Sequence, residues 1–300
     1  MAIEALLVYN ITQDNERAQI QIKAFVDAFA KLKVKLTPLP NSQVVTYTQE
    51  HPKEFAFALF WDKDIHISTY LENDLDLPVF NSKESIMTCD DKALTYLAFR
   101  NFHIPTPKTT ILPYTFNINV LKYYDEVKAM IAGYKYPFIV KERFGSYGDQ
   151  VYLVHDEKEF KALLEKVGKS PLLVQEYISA AAGRDYRINV VGRQVITSVE
   201  RYNPNDFRSN VNQGGKMREI HISPKVKRLA LNAVRAVGAD FAGVDIIFNE
   251  KGEPLVIEVN TNARTISVEH ATGIYLTWYI AKYIKNHYRR PRRIANKTHF

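Results

Sequence analysis

Two acids stand among aliphatic residues in the stretch GVDIIFNEKGEPLVIEVNTNA, residues 243–263. The pattern predicts two apolar strands, and either a two-residue turn at 251–252 or a four-residue loop around it places Asp245 directly opposite Glu258. Asn260 shares a face with Glu258, because side chains two residues apart on a strand point the same way. A three- or five-residue loop would shift the register and separate the two acids.

Carboxylates about 5 Å apart across a strand pair repel each other, which is destabilising unless a cation lies between them. Oxygen ligands without His or Cys favour Mg²⁺ or Mn²⁺ over zinc. We therefore expect Asp245, Glu258 and Asn260 to bind a divalent metal, with nucleotide phosphate supplying further ligands. The alternative is an edge hairpin with solvated acids, but the surrounding aliphatic residues favour burial.

A candidate phosphate loop is VKERFGSYGDQV, residues 140–151, because the chain has no Walker A pattern. Lys141 ends a predicted strand, and Gly145, Ser146 and Gly148 lie in the loop that follows. Backbone N–H groups of such a loop can bind phosphate, and a lysine adds a positive charge. Glycine hairpins are common, so a structural loop is the alternative.

A second polar loop is NDFRSNVNQGGKM, residues 205–217, which contains Arg208 and Asn210. Gly214 and Gly215 allow a tight approach of the backbone. An arginine here would stabilise a transferring phosphoryl group or an oxyanion. A solvated surface loop is the alternative.

Elements that position these residues follow from the hydrophobic pattern. The first eighty residues predict a small doubly wound sheet from apolar runs and one amphipathic helix. These segments are ALLVYN (5–10), the helix over 15–33, FAFALFWDKD (55–64) and LPVFNS (77–82).

The rest of the sequence predicts another helix, with Ser82 or Ser85 as its N-cap, and after it strands mixed with helices. A helix over 156–169 is expected to stop at Gly168, and a hairpin is expected to fold at 192–193. The apolar helix near the C-terminus is expected to dock on another part of the protein. We divide the chain into residues 1–82, 83–174 and 175–300, with a fold class of α/β and α+β.

Composition excludes several classes of protein. Hydrophobic residues make up 46% and charged residues 24%, which does not fit a disordered or a membrane protein. The N-terminus lacks a basic region and a cleavage site, so we expect no export signal. A single Cys89, expected to be a buried apolar residue, suits a reducing cytoplasm.

The net charge of +7 is concentrated at the C-terminus. From residue 270 onward there are seven Lys or Arg and no Asp or Glu, which leaves 33 basic residues against 33 acids elsewhere. The tail KNHYRRPRRIANK (285–297) could contact RNA, an acidic protein or lipid. A solvated terminus is the more common outcome, and we expect no membrane partner.

Eight motifs occur in a characteristic order over roughly residues 80–276: DDKALTY, YPFIVK with its glycine loop, LLVQEYI, GRDYRINVVG, FRSNVNQGG, FAGVDIIF, LVIEVN and TGI. The chain resembles the ATP-grasp superfamily, most closely the RimK-type glutamate ligases. The resemblance implies an ATP-grasp fold preceded by an N-terminal doubly wound pre-grasp domain.

The resemblance also implies roles for individual residues. Lys92 and Lys141 would hold ATP phosphates, and Asp185 would contact the ribose or nearby groups. Two Mg²⁺ or Mn²⁺ ions would bind Asp245, Glu258 and Asn260, with Glu258 bridging. Further ATP contacts would come from the glycine loop, the strand end that meets adenine, and the loop at the γ-phosphate and reacting carboxylate: Gly145, Ser146, Tyr147 and Gly148; Glu176, Tyr177 and Ile178; Arg208, Ser209 and Asn210.

Two departures from the family's pattern concern the substrate. The family often continues after its last metal ligand with a small-Ser-Pro-Gly turn, whereas this chain reads NTNARTISVEH (260–270). Arg264 would then lie near the acceptor site, where it could pair with a substrate carboxylate. Asp149 stands where a further glycine is common.

The implied activity is an ATP-dependent carboxylate–amine ligase, in which Lys141, Arg208 and Asn210 act at the reacting groups. An amino acid, glutamate-like by the resemblance, would be joined to a peptide, a protein or a small acceptor, and a homo-oligomer is expected. The rival hypothesis is a nucleotide-binding protein without turnover that acts through its basic tail on RNA or an acidic partner. A third possibility is that the tail captures an acidic or ribosomal protein substrate.

Overall fold

The structure is a computed structural model that describes residues 3–52, 55–116, 120–146, 148–210, 214–262 and 265–289. Within these ranges, none of the helices combines the length and apolar character needed to cross a membrane.

The N-terminal part forms a four-stranded parallel sheet with the order β2-β1-β3-β4. Asn15 caps the first helix by accepting a hydrogen bond from the Ala18 backbone N–H at 3.1 Å. The elements are β1 (Ile3–Tyr9), α1 (Glu16–Lys31), β2 (Val34–Pro40), α2 (Val44–Glu50), β3 (Ala58–Trp61), α3 (Ile65–Thr69) and β4 (Val79–Phe80).

Strand β2 is absent from the sequence-based interpretation. It contains Pro38 and Pro40, which cannot donate backbone hydrogen bonds and normally argue against a strand. The strand lies at the edge of the sheet and pairs with β1 on one side only, so prolines are tolerated there.

The central part is a four-stranded antiparallel sheet with the order β5-β8-β6-β7. Ser82 caps the first helix here, and Gly168 ends the last one with a φ of 58°, as predicted. The elements are α4 (Lys83–Asp90), α5 (Lys92–Asn101), β5 (Thr109–Ile111), α6 (Tyr124–Met130), β6 (Phe138–Glu142), β7 (Val151–Val154), α7 (Glu157–Val167) and β8 (Leu172–Glu176).

The C-terminal part is a five-stranded antiparallel sheet with the order β11-β10-β9-β12-β13. Its first hairpin folds at residues 192–193, as predicted. The elements are β9 (Arg184–Val191), β10 (Gln194–Tyr202), β11 (Lys216–Glu219), α8 (Pro224–Ala236), β12 (Phe241–Phe248), β13 (Pro254–Asn260), α9 (Ile266–Thr272) and α10 (Leu276–His287).

Two connections fix the N-terminal sheet to the C-terminal one. Helix α10 buries Ile280 and Ile284 in the same core as Phe25 and Phe57, so the docking partner of this apolar helix is the N-terminal part. The buried Asn81 accepts hydrogen bonds from the backbone N–H groups of residues 240 and 241 at 2.6 and 3.1 Å. The predicted boundary between residues 174 and 175 lies inside strand β8. The division of the chain into three units remains a proposal.

Candidate active site

Strands β12 and β13 place Asp245 directly opposite Glu258, as predicted, although the predicted loop is wrong. Phe248 pairs with Pro254, so the loop has five residues, 249–253, which alone would have separated the acids. A bulge at Ile257 corrects the register, because Ile246 pairs with Val256 while Asp245 pairs with Glu258. One extra residue in β13 therefore offsets the odd loop length.

Asp245 is compensated by two arginines, which the sequence argument did not include. It is 2% exposed and lies opposite Arg187 on the neighbouring strand β9. Nη2 of Arg187 donates to Oδ2 of Asp245 at 2.9 Å, and Nε of Arg187 bonds to Oδ1. Nη2 of Arg201 lies 2.9 Å from the same Oδ2. Repulsion between two acids was therefore not sufficient evidence for a metal, since guanidinium groups already supply positive charge.

These charges set the protonation states. Burial alone would raise the pKa of Asp245, but Arg187 and Arg201 outweigh burial and hold it below its usual range. Burial would likewise lower the pKa of Arg201, but the Asp185 and Asp245 carboxylates outweigh it and raise that pKa. Both shifts favour the charged forms, so Asp245 and Arg201 are ionised at neutral pH.

A second bulge creates the pair between Arg201 and Asp185. The hairpin of β9 and β10 starts with Gln194 opposite Val191, and the register then shifts so that Arg201, not Glu200, lies opposite Asp185. Nε of Arg201 donates to Oδ1 of Asp185 at 2.7 Å. Asp185 is thus held in an ion pair, and its expected contact with the ribose stays a prediction.

The remaining donors suit a hard cation. Among the described residues, no three His, Cys, Asp or Glu side chains form a metal cluster, so a site here would combine two carboxylates with the Asn260 amide. A carboxylate offers about four lone-pair positions, and three N–H groups occupy Asp245. Glu258 forms no ion pair within the described residues. This oxygen set fits Mg²⁺ or Mn²⁺ when phosphate oxygens complete the shell.

Lys92 is positioned by the start of helix α5. Asp91 caps the helix by accepting from the Ala93 N–H at 2.8 Å, and it also accepts from Nε of Arg143 at 3.0 Å. The Lys92 N–H donates to the Arg143 carbonyl at 3.0 Å. Helix α5 is thereby tied to the end of β6, two residues beyond Lys141.

Lys141 lies on β6 and borders the same cavity as Lys92. Burial lowers the pKa of its ammonium to about 8; the nearby Glu258 carboxylate opposes this change, and Lys92 adds to it. Two cations close together with little solvent form a site that favours a polyanion such as a triphosphate.

Three cations hold the glycine loop in the described structure. Nζ of Lys92 donates to the Gly145 carbonyl at 3.4 Å, and Nζ of Lys63 donates to Oγ of Ser146 at 3.1 Å. Nη1 of Arg208 donates to the Gly148 carbonyl at 2.7 Å. Lys63 follows β3, so the N-terminal part contacts this loop directly.

The loop at Arg208 is also constrained. Arg208 donates to Oδ1 and Oδ2 of Asp206 at 3.0 and 2.8 Å, and these hydrogen bonds are the main reason that the pKa of Asp206 is lowered. A Cβ on Gly215 would lie 2.3 Å from the Ser209 carbonyl oxygen, so this position requires glycine. The backbone that carries Arg208, Ser209 and Asn210 therefore packs closely against the backbone at Gly215.

Residues at the end of β8 also belong to the candidate site. Glu176 ends the strand, and its N–H donates to the Lys108 carbonyl at 2.9 Å. Tyr177 and the buried Ile178 follow it. These residues border the cavity, and their contact with adenine stays a prediction.

One cavity of about 1070 Å³ collects the candidate residues. Tyr147 and Arg264 lie outside the described residues. Every other predicted site residue borders the cavity: Lys92, Lys141, Gly145, Ser146, Gly148, Glu176, Tyr177, Ile178, Asp185, Arg208, Ser209, Asn210, Asp245, Glu258 and Asn260.

Sequence reasoning missed several residues of this cavity. Arg187 stands two residues after Asp185 on one strand, so its shared face with that acid was a usable signal. Arg201 depends on a bulge, and Lys63, Asp62 and Gln21 come from the N-terminal part. No local pattern marks those four residues.

Residues 90–284 match the family model described as "RimK-like ATP-grasp domain". A protein of Parasynechococcus marenigrum (strain WH8102) named "Probable alpha-L-glutamate ligase" is 37% identical over 202 residues, which are 66% of this chain and 41% of that protein. An uncharacterized protein of Mycoplasma pneumoniae is 30% identical over 86% of this chain and 91% of its own length.

Among solved structures, the RimK domain protein ATP-grasp from Sphaerobacter thermophilus superposes with a TM-score of 0.70. Its identity is 20%, and the match covers 93% of this chain and 98% of that one. The three sheets described above thus form an ATP-grasp fold, as the sequence motifs predicted.

Proposed function

The chain belongs to the RimK-like ATP-grasp family of carbon–nitrogen ligases, and from this premise we propose that it is an ATP-dependent carboxylate–amine ligase. ATP would phosphorylate a substrate carboxylate, and an amine would then form an amide bond. The observation that carries the proposal is the meeting of Lys92, Lys141 and the Asp245–Glu258 pair in one cavity.

The reaction is proposed to run in two steps. A carboxylate oxygen attacks the γ-phosphorus of ATP, which gives an acylphosphate and ADP. The neutral amine nitrogen then attacks the acyl carbon, the C–O bond to phosphate breaks, and inorganic phosphate leaves with the proton that the nitrogen loses. The protein contributes positioning and charge neutralisation, as is general for phosphoryl transfer.

Each basic residue has a distinct part in this proposal. Lys92 and Lys141 bind phosphate oxygens, and Arg208 neutralises charge on the transferring group. Arg208 uses three of its five N–H donors on Asp206 and Gly148, so donors remain for a phosphate oxygen. The glycine loop covers the phosphates and excludes water from the acylphosphate.

Divalent ions complete the proposed site. Mg²⁺ or Mn²⁺ held by Asp245, Glu258 and Asn260 would neutralise the phosphate oxygens when bound. Arg187 on β9 and Arg201 on β10 fix the position of the Asp245 carboxylate, because both guanidinium groups contact it. The resident arginines thus position the acid even before a cation binds.

The substrate proposal is an amino acid, glutamate-like, joined to a peptide, a protein or a small acceptor. It is supported by the name of the P. marenigrum relative, although this chain spans less than half of that protein. Arg264, outside the described residues, would pair with a substrate carboxylate. A cytoplasmic location, a homo-oligomer and a contact of the basic tail with RNA or an acidic protein are further proposals.

The alternative is a nucleotide-binding protein without turnover. It predicts ATP binding without acceptor-dependent phosphate release. Incubation of the purified protein with ATP, Mg²⁺ and a panel of amino acids and dipeptides separates the two functions. Phosphate release that depends on an acceptor, and that Glu258→Gln abolishes, supports the ligase. Glu126→Gln on the exposed side of α6 is the matched control and retains activity.

A further inference from the structure

Helix α8 carries an unbalanced positive charge. Residues 220–239 contain four Lys or Arg, at positions 225, 227, 228 and 235, and no Asp or Glu. The rest of the chain before the basic tail does not share this excess, because residues 1–269 as a whole contain 33 basic and 33 acidic residues. The helix is therefore a local concentration of positive charge in a body that is neutral overall.

The charged side chains lie on the outer side of the helix. Lys225, Arg228 and Arg235 are exposed, and their spacings of three and seven residues place them along one face of α8. This basic row spans about 15 Å at the rise of an α-helix. The opposite face packs against the C-terminal sheet and buries five aliphatic residues: Val226, Leu229, Ala230, Ala233 and Val234.

The C-terminal sheet separates the basic row from the cavity. Successive residues of a strand point to opposite faces of a sheet. Asp245 and Arg187 border the cavity, whereas their neighbours Val244 and Ile188 pack in the same core as Leu229 of α8. The row thus lies on the back of the sheet that carries the proposed metal ligands, and it does not belong to the site described above.

The basic row has no acidic partner within the described residues. None of its three side chains forms an ion pair there. Helix α4 reaches the C-terminal end of α8, where Oγ of Ser85 donates to the Gly238 carbonyl at 2.6 Å. The acid beside Ser85 is Glu84, which pairs with Lys83 at 3.9 Å. The positive charge of the row therefore remains available to an anionic partner.

The character of this face favours a nucleic acid over a protein or a membrane. The centre of a protein interface is apolar and depleted of charge, but none of the described residues from 203 to 274 is an exposed large hydrophobic residue. A membrane-surface helix inserts its apolar face, and α8 buries that face against the sheet. Nucleic-acid interfaces are strongly positive, and arginine matches the geometry of phosphate.

We propose that the outer face of α8 binds the phosphate backbone of a nucleic-acid duplex through Lys225, Arg228 and Arg235. Asn232 is exposed between the two arginines and adds an amide donor. A duplex fits better than a single strand, because proteins that hold single strands use exposed aromatic side chains for stacking, and this helix has none. Phosphate contacts carry no base sequence, so binding should not depend on sequence.

The proposed contact is independent of the ligase function and of the basic tail. It would hold the protein on a nucleic acid while the cavity, on the other face of the sheet, stays open to substrates. Loss of duplex binding would therefore leave ATP-dependent turnover in place, and a protein without turnover could still bind the duplex.

Fluorescence anisotropy of the full chain with labelled DNA and RNA duplexes of about 20 base pairs tests the proposal. We expect both duplexes to bind, with an affinity that falls as salt is added. Arg228→Gln combined with Arg235→Gln should raise Kd at least about ten-fold and lower the slope of log affinity against log salt by about two, since each phosphate contact contributes about 0.9. Arg228→Lys combined with Arg235→Lys keeps the charges and should keep the slope.

Two matched variants serve as controls. Lys158→Gln combined with Lys169→Gln removes the same charge from exposed positions of the central part and should leave Kd and slope unchanged. Arg292→Ser combined with Arg293→Ser measures the contribution of the tail. Urea unfolding of every variant shows whether it is folded, and the lysine replacements keep the test decisive if the glutamine variant does not fold.

Three results would overturn the assignment: no binding of either duplex at low salt, an unchanged Kd and slope in the glutamine variant of α8, or an equal loss in the control at positions 158 and 169. A loss confined to the tail variant would likewise place the contact in the tail. An oligo-glutamate peptide is the comparison probe. If it binds in a manner that requires Arg228 and Arg235 while the duplexes do not bind, the face recognises an acidic protein and the nucleic-acid assignment is wrong.

Discussion

Asp245 and Glu258 face each other across β12 and β13 only because Ile257 is bulged out of the strand pairing. The five-residue loop at 249–253 would otherwise bring the acid at 258 out of register. The length of the loop and the bulge together therefore set the register of the two acids. The face of the hairpin that carries Glu258 and Asn260 depends on both.

This register predicts which deletion breaks the site. Deletion of Lys251 shortens the loop but leaves Phe248 opposite Pro254 and the bulge in place, so the two acids keep their register and turnover is retained. Deletion of Val256 and Ile257 together instead brings Glu258 opposite Ile246, on the other face of the hairpin. We expect this double deletion to reduce ATP-dependent turnover by at least about a hundred-fold, because the loss of one well-placed catalytic group has an effect of this order. Equal turnover of the two variants would contradict the role of the register.

Arg201 is expected to be important for stability. It bridges the buried Asp185 and Asp245, so Arg201→Met leaves both acids short of a cation. We expect a loss of about 3–5 kcal/mol in the free energy of unfolding, measured in urea. Adding Asp185→Asn should recover part of the loss. Lys23→Met, which breaks an exposed pair with Asp27, is the control and should cost less than about 1 kcal/mol. A stable single variant would refute the bridging role.

The lowered pKa of Lys141 predicts that replacing this residue stabilises the fold at neutral pH but weakens ATP binding. Its pKa is lowered to about 8 by burial, so its charge destabilises the ligand-free fold wherever it is protonated. That cost is fully present below about pH 8 and disappears as the pH rises from there through the ordinary value of 10.5. Lys141→Met should therefore raise the free energy of unfolding at pH 7 by on the order of 1 kcal/mol after solvent screening.

The gain in Lys141→Met should shrink toward zero at pH 10, and ATP affinity should fall in the same variant. Urea unfolding at both pH values and calorimetry with ATP check the two halves of the prediction. A variant that is less stable than wild type at pH 7 would show that the charge of Lys141 does not destabilise the fold.

The hydrogen bond from Lys63 to Ser146 predicts coupling between the N-terminal part and the glycine loop. Lys63→Met and Ser146→Ala each remove one partner, so both should release the loop. We expect water to reach the acylphosphate more often and phosphate release per amide formed to rise a few-fold, which corresponds to about 1 kcal/mol. Lys35→Met, which replaces an exposed lysine of the N-terminal part, is the control. An unchanged ratio in both variants would exclude the coupling.

The close contact at Gly215 predicts that a side chain there destabilises the protein. Gly133 is the position for comparison, because a side chain fits there more easily. A Cβ at Gly215 would meet the Ser209 carbonyl oxygen at 2.3 Å, whereas at Gly133 it would meet only the flexible end of Lys108. Gly215→Ala should destabilise the protein by about 1–3 kcal/mol and displace Arg208. Gly133→Ala should have little effect on either property. Thermal unfolding and turnover of the two variants provide the measurement.

Local patterns predicted most of the individual elements, and the family resemblance supplied most of the candidate ATP-site residues, whose described members all border one cavity. Helical stripes, caps and glycine stops are local properties, so they can be read directly from the residues. Strand β2 was missed because its edge position, which allows Pro38 and Pro40, is a property of the assembled sheet.

Register and long-range partners could not be predicted in the same way. The bulges at Ile257 and in β10 depend on packing across the sheet, and they decide which residue faces Asp245 and Asp185. The arginine network follows from those registers. Asp62 and Gln21 reach the cavity only because Asn81 and helix α10 fix the N-terminal part against the catalytic sheet.

Transfer of an oxygen atom tests the central claim most directly. If the protein activates a carboxylate through an acylphosphate, a substrate labelled with oxygen-18 in that carboxylate passes one labelled oxygen to the released phosphate. Mass spectrometry of phosphate formed from ATP, Mg²⁺ and the labelled substrate should detect this label, and Glu258→Gln should form none. Acceptor-dependent phosphate that contains no label would contradict the acylphosphate ligase account.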